Sequence, residues 1–376
     1  MDSFQSHLFR VKFFFFICIL LIASGCIHYS PPRLSRPANE VAPDMRGYFD
    51  YPKKKVEAHR ELLKEQKKYT LEQIVFDLNL PEGLIQRPVD EMRTSVAEKR
   101  KNNDIKGAND LELEYSVKID YYRSKKEGKK PLILVAPILG GNMIVDWLAP
   151  YFASHGMDAA IIHRRKPRYD TEQDMNQVER YIRKSVIRTR QALDWLIEQS
   201  GTEAGRVGSF GISYGGIVNT ITAAVEPRIK CHIIAMAGGP MADLIIDSEE
   251  KAIKKYMRTA AEQAGYTPEN MNTNLREDLR KAIQSDTLTM APYVKTENVL
   301  FVIAYFDRVV GRKYSKNLWR SLGNPEVIYT PLGHYGTILT LPYLKIKALK
   351  FYRKHFYPEK NKGIRGFISF RGVPGD

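Results

Sequence analysis

The sequence is short of cysteine. Its 376 residues hold three, Cys18, Cys26 and Cys231, too few and too scattered for a disulfide framework. Cys231 opens an apolar stretch and reads as a small buried hydrophobe rather than a nucleophile. No group of His and Cys has metal-ligand spacing, so no metal is expected. A dinucleotide fingerprint is missing as well. Gly208-Ser209-Phe210-Gly211 lacks the glycine spacing and has no placed acidic partner, so no cofactor is expected. The net charge is +15, yet no zinc-finger spacing or RNP-type aromatic strand accompanies it, which argues against a nucleic-acid partner. That charge leaves three readings open: an anionic membrane surface, an acidic substrate, or a solvated basic surface. There is no internal repeat.

Long apolar runs are scarce too. Residues 13–23 form one, too short to span a bilayer comfortably as a permanent helix. Arg10 and Lys12 precede it and Ala23-Ser24-Gly25-Cys26 follows, so residues 1–25 read as a signal peptide. The small residues before Cys26 resemble a bacterial lipoprotein signal, with Ala23 where the usual motif has Leu. That resemblance implies cleavage before Cys26, lipidation of Cys26, and a membrane-anchored place in the cell envelope, on its periplasmic or extracellular side. Ordinary cleavage and an uncleaved anchor stay open. Residues 26–70 are expected to be a tether with an N-terminal helical extension. Pro31, Pro32, Pro37 and Pro43 stand among polar residues. Lys53, Lys54 and Lys55 follow, then a Lys- and Glu-rich stretch over 56–69 that reads as helix.

From Leu111 the pattern changes. Leu111, Leu113, Tyr115, Val117 and Ile119 alternate with polar residues, the period of a strand with one wet face. Residues 131–137, Pro-Leu-Ile-Leu-Val-Ala-Pro, are continuously apolar, as in a strand buried on both faces of a parallel sheet. Helices are expected at 142–155, 177–199, 215–225 and 343–355. Strands are expected at 158–163, 206–212, 230–237, 299–305 and 327–329. This alternation specifies a mostly parallel, doubly wound α/β sheet in a domain spanning 71–357. Residues from about 240 to 292 lack a strand signal and read as a helical insertion that caps the sheet's carboxyl edge. Residues 358–376 are Gly-rich and basic, a peripheral tail.

The chemistry gathers at Gly211-Ile212-Ser213-Tyr214-Gly215. A buried strand ends, a tight turn holds Ser, and an apolar helix begins, which lifts Ser Oγ above the sheet. A serine hydroxyl needs a base. Leu332-Gly333-His334-Tyr335-Gly336 supplies one on a loop after the last strand. The other histidines fall in the leader (His7), before the sheet (His28, His59), between early strands (His155, His163), in a strand (His232) or in the closing helix (His355). The acid that orients the imidazole is assigned to Asp307, where the apolar strand 301–306 runs out. Asp243, Asp247 and Asp286 compete for the role but follow no buried strand.

In the order Ser213, Asp307, His334 the chain resembles the α/β-hydrolase superfamily, over residues 111–357, and its esterase and dienelactone-hydrolase-like members in particular. The resemblance implies an oxyanion hole built from the backbone N–H of Tyr214 and of Ile138 or Leu139. The His-Gly-Gly-Gly motif of many lipases is absent there, but backbone donors require geometry rather than side chains. The expected activity is cleavage of a carboxylic ester, small or lipid-like, through an acyl-enzyme. Amide, peptide or thioester cleavage and acyl transfer by the same three residues stay open. So does a non-catalytic envelope lipoprotein that keeps the fold as a binding platform.

Overall fold

The computed structural model describes residues 25–32, 43–85, 87–139, 141, 144–165, 175–199 and 202–358. Residues 1–24 of the expected signal peptide, part of the tether and the basic tail after residue 358 lie outside the described residues. Ten strands form one sheet: β1 (Ile27–Tyr29), β2 (His59–Glu65), β3 (Tyr69–Asp77), β4 (Ser116–Ser124), β5 (Leu132–Ala136), β6 (Asp158–Ile162), β7 (Val207–Ile212), β8 (Ile229–Ala235), β9 (Val299–Ala304) and β10 (Glu326–Thr330). Their spatial order is β1-β10-β9-β8-β7-β5-β6-β4-β3-β2. The six strands from β10 to β6 run parallel. β1 closes one end antiparallel to β10, and β4, β3 and β2 extend the other end antiparallel.

Helices cover both faces because the central strands are apolar on both. β5, β7 and β9 are almost wholly buried, so each needs packing above and below. On one face lie α4 (Val145–Ser154) and α12 (Leu341–Phe356). Their Leu148, Phe152, Phe351 and Tyr352 meet Ile133, Phe210 and Ile233. On the other lie α5 (Asn176–Gln199), α6 (Tyr214–Val225) and α11 (Arg312–Ser321). Here Ile182, Ile221 and Leu318 meet Ile234, Phe301 and Val327. The remaining helices are α1 (Pro43–Tyr48), α2 (Val89–Lys101), α3 (Ile105–Glu112), α7 (Met241–Asp247), α8 (Lys251–Gln263), α9 (Met271–Ala282) and α10 (Thr287–Met290).

Three sequence expectations need correction. The described parts of residues 26–70 differ from the expected tether leading to a helix over 56–69. Ile27–Tyr29 is an edge strand, and His59–Glu65 within the expected helix is strand β2. Local helix propensity, worth a few tenths of a kcal/mol per residue (~0.5), is overridden by the open backbone edge of β3. One cross-strand pair adds to the ladder, Arg60 with Glu72 at 2.5 Å, and Lys125, just past β4, reaches over to Glu65 at 2.6 Å. The strand expected from Leu111 begins at Ser116 instead. Leu111 belongs to α3, whose N-terminus is capped by the Asp104 carboxylate accepting from Gly107 N at 2.9 Å. Ala108, Leu111 and Tyr115 pack in one cluster with Met92 and Val96, so a helical face there mimicked alternation.

The third correction concerns the insertion. Helices α7 to α10 fill 241–290 without a strand, but they are chiefly a flank. Met241, Ile245, Met257, Leu275 and Leu279 share one apolar cluster with Ile217, Val218 and Ile221 of α6. Burying those faces costs less than leaving them over an open edge. The insertion also touches the carboxyl-edge loops: Leu244 packs with Val310, and Thr287 Oγ1 donates to Gly238 O at 2.8 Å. Glu249 N donates to Arg308 O at 3.2 Å, and Tyr335 Oη donates to Glu250.

Candidate active site

Ser213 stands between β7 and α6 with φ 56° and ψ −123°, a conformation that L side chains other than Gly avoid. Its N–H donates to Ala235 O at 2.8 Å, and its carbonyl accepts from Gly216 N and Ile217 N. The turn is therefore tied to β8 on one side and to its own helix on the other. Two glycines make this packing possible. A Cβ on Gly211 would stand 2.2 Å from Gly215 O, and one on Gly215 would stand 2.4 Å from Ala136 O. Both obstacles are backbone and cannot swing aside.

His334 lies on the loop after β10. Ser213 Oγ donates to its Nε2 at 3.1 Å, and its Nδ1 donates to Asp307 Oδ2 at 2.8 Å. That network fixes the imidazole tautomer. Asp307 follows β9 and is buried; its other oxygen accepts from Val309 N at 2.9 Å and Val310 N at 3.0 Å. The carboxylate is thus held in place by its own turn and left with one oxygen for the histidine. Three residues far apart in sequence meet because β7, β9 and β10 end at the same edge.

The competing groups are engaged elsewhere. Asp243 binds Arg276 at 2.5 Å and Arg280 at 3.0 Å, and Asp247 binds Lys313 at 2.7 Å. Asp286 caps α10 and accepts from Met241 N. A second Ser–His pair exists, Ser209 with His232 at 2.8 Å, but both are sealed in the core. Burial, with His355 nearby, pulls His232 down to about 3, so it stays neutral. Cys231 is also buried, and burial pushes its thiol up, consistent with a packing role. His28 does not precede the sheet but sits in β1, against Glu326 at 2.6 Å.

The expected oxyanion loop follows β5. Gly215 abuts the carbonyls of Ala136 and Pro137, so the loop and the Ser213 turn are in contact. Ile138 and Leu139 are described; Gly140 and Asn142 of that loop lie outside the described residues. Sequence reasoning missed Arg164, just past the carboxyl end of β6. It donates to Ile138 O and, at 2.8 Å, to Tyr181 Oη. Its guanidinium lies 4.3 Å from the centre of the Tyr214 ring. The signal available in the sequence was position alone, since ligand-facing residues collect where parallel strands end. Among the described residues no group of three or more His, Cys, Asp or Glu is placed to hold a metal ion.

A serine, an imidazole and a carboxylate in hydrogen-bonded series, beside a helix N-terminus, can run acyl transfer. Comparison with known proteins bears on the frame around them. A family model described as X-Pro dipeptidyl-peptidase (S15 family) matches residues 178–322. Two uncharacterized proteins of Mycobacterium tuberculosis, one from strain CDC 1551 / Oshkosh and one from strain H37Rv, are 26% identical over 154 residues. That match covers 41% of this chain and 33% of their length. Acetyl xylan esterase from Paenibacillus sp. R4 superposes with a TM-score of 0.57 at 18% identity, over 89% of this chain and 98% of its own. Acetyl xylan esterase 1 from Thermoanaerobacterium sp. JW/SL YS485 superposes with a TM-score of 0.55 at 14% identity, over 83% and 99%. With helices on both faces of a mostly parallel sheet and these two superpositions, the chain has the α/β-hydrolase fold.

Proposed function

We propose that the chain is a serine hydrolase that cleaves a carboxylic ester. The observation that supports this is the unbroken series Ser213 Oγ to His334 Nε2 at 3.1 Å and His334 Nδ1 to Asp307 Oδ2 at 2.8 Å. His334 takes the Ser213 proton as Oγ attacks the carbonyl carbon. Asp307 stabilises the imidazolium that forms. The N–H of Tyr214 and that of Ile138 or Leu139 receive the oxyanion. His334 then returns the proton to the leaving alcohol, and water releases the acid from Ser213 by the same path. The two structural neighbours named as acetyl xylan esterases agree with an ester as the substrate.

The same reading places the enzyme in the cell envelope, held by lipid on Cys26. Its support is the sequence of residues 10–26. Mass spectrometry of the N-terminal peptide tests that part: an unmodified Cys26 in a membrane fraction rejects it.

A fluorophosphonate probe tests the chemistry. Labelling of the wild type and none of Ser213→Ala is expected; no labelling of either rejects a serine hydrolase. One observation favours a second reading, peptide cleavage: the match of residues 178–322 to the S15 dipeptidyl-peptidase model. Turnover of Xaa-Pro anilides with none of p-nitrophenyl esters would put that reading first.

A further inference from the structure

We propose that the carboxyl edge of the sheet is a membrane-docking face, so that Ser213 works on an ester presented at a bilayer surface. The inference rests on the anchored serine-esterase reading and adds to it an orientation and a substrate class.

The first support is where the chain enters the fold. Ile27 pairs with Tyr329, near the carboxyl end of β10. β10 is parallel to β9, β8 and β7, so that end lies beside Ala304, Ala235 and Ile212. Ser213 follows Ile212 directly. Cys26, which immediately precedes Ile27, therefore joins the fold at the edge holding the active serine. An anchor on the opposite edge would turn the site toward solvent.

The second support is the surface around the site. Ile27 is 64% exposed, Trp147 51%, Phe306 64% and Tyr335 68%. Trp147 lies in the first turn of α4, which follows the expected oxyanion loop. Phe306 and Tyr335 are the chain neighbours of Asp307 and His334. Tyr335 gives its hydroxyl to Glu250. Cations are interleaved: Arg312 lies 4.1 Å over the Tyr305 ring and Lys347 5.3 Å over Tyr343. Rings with a polar end, free apolar side chains and basic residues are the composition of a surface that sits in a headgroup layer.

The third support is the contrast with the opposite edge. The turns that lead into β5, β7, β9 and β10 hold Lys126, Lys129, Lys130, Arg206, Lys295 and Asn324. Among the described residues none of the exposed large apolar side chains falls in them. Positive charge alone would not tell the two edges apart; the apolar rim does.

Native tryptophans provide the test. Trp147 is on the proposed docking edge. Trp319 donates to Pro325 O in the turn that enters β10, at the other edge. The full chain is bound to phosphatidylethanolamine–phosphatidylglycerol vesicles with brominated acyl chains. Fluorescence is expected to fall relative to unbrominated vesicles, with the loss abolished in Trp147→Phe and retained in Trp319→Phe. A loss that vanishes in Trp319→Phe instead, a bound chain with no loss, or a chain left in solution overturns the proposal. Phe306→Glu adds a functional arm. It is expected to slow hydrolysis of a vesicle-embedded ester while sparing p-nitrophenyl acetate, and equal rates on the embedded ester count against the docking face. Fluorophosphonate labelling and the Cys26 mass, read on the same samples, separate failure of the hydrolase or anchor readings from failure of the orientation.

Discussion

Arg164 donates to the carbonyl of Ile138 while its guanidinium lies over the ring of Tyr214. One side chain thus spans the two backbone segments expected to hold the oxyanion. Arg is suited to this because its planar fork can bond and stack at once; a Lys ammonium cannot. Loss of one charge-assisted hydrogen bond costs about 1.5–3 kcal/mol, or roughly 10- to 100-fold in rate if the bond matters in the transition state. Arg164→Lys is expected to lower kcat by that order with little change in KM. Steady-state kinetics on a p-nitrophenyl ester check it, and an unchanged kcat removes Arg164 from the positioning of the site.

Asp307→Asn separates orientation from folding. The Asp307 oxygen that accepts from Val309 N and Val310 N can be kept by an amide oxygen. The oxygen facing His334 Nδ1 cannot act as acceptor if NH2 replaces it. The imidazole is then left in the wrong tautomer, an effect of about 10⁴ in kcat for a serine triad. Thermal unfolding is expected to change little. A variant with near wild-type turnover would mean that Asp307 does not serve the histidine.

The parallel half of the fold was legible because its strands are buried on both faces, so apolar runs and helical periods alternate without ambiguity. Ser213, Asp307 and His334 could be singled out for a related reason: Ser213 directly follows β7, and Asp307 and His334 lie in the short loops just past β9 and β10. The antiparallel extension was not legible. β2 is exposed along its whole length, and nothing in His59–Glu65 distinguishes a wet strand from a wet helix until β3 is beside it. Ile27–Tyr29 is too short to announce itself, and its pairing with β10 is set by tertiary contact. Arg164 was missed because its partners, a main-chain carbonyl and two tyrosines, leave no pattern in sequence.

The backbone at Ser213 makes a prediction about stability. Its φ of 56° with ψ −123° is open to Gly and strained for any residue with a Cβ, at about 1–3 kcal/mol. Ser213→Ala keeps that strain and Ser213→Gly removes it, although Gly also loosens the unfolded chain by about 0.5–1 kcal/mol. Both variants are expected to be inactive, with Ser213→Gly the more stable of the two in urea titration. If Ser213→Ala proves the more stable, the turn is not strained.

Glu114 gives the fold an acid-sensitive element away from Ser213, Asp307 and His334. Arg165 donates to one of its oxygens and Lys184 to the other at 3.3 Å, all three side chains being largely buried. Burial alone would raise the Glu114 carboxyl, but the charges of Lys184 and Arg165 overcome it and hold it down to about 2. Lys184 itself is pulled down by its burial, because one shared carboxylate does not replace its lost water. The folded-state value of Glu114 lies below its ordinary 4.5. Its contribution is therefore complete above that pH and fades as pH falls toward 2, with a full size of about 3 kcal/mol. Glu114→Gln mimics the protonated form in shape. The stability gap between wild type and Glu114→Gln is expected to be wide at pH 7 and to close steadily below pH 4.5, as read by urea titration across that range. A gap that stays constant with pH would mean that packing at this position, not its charge, sets the difference.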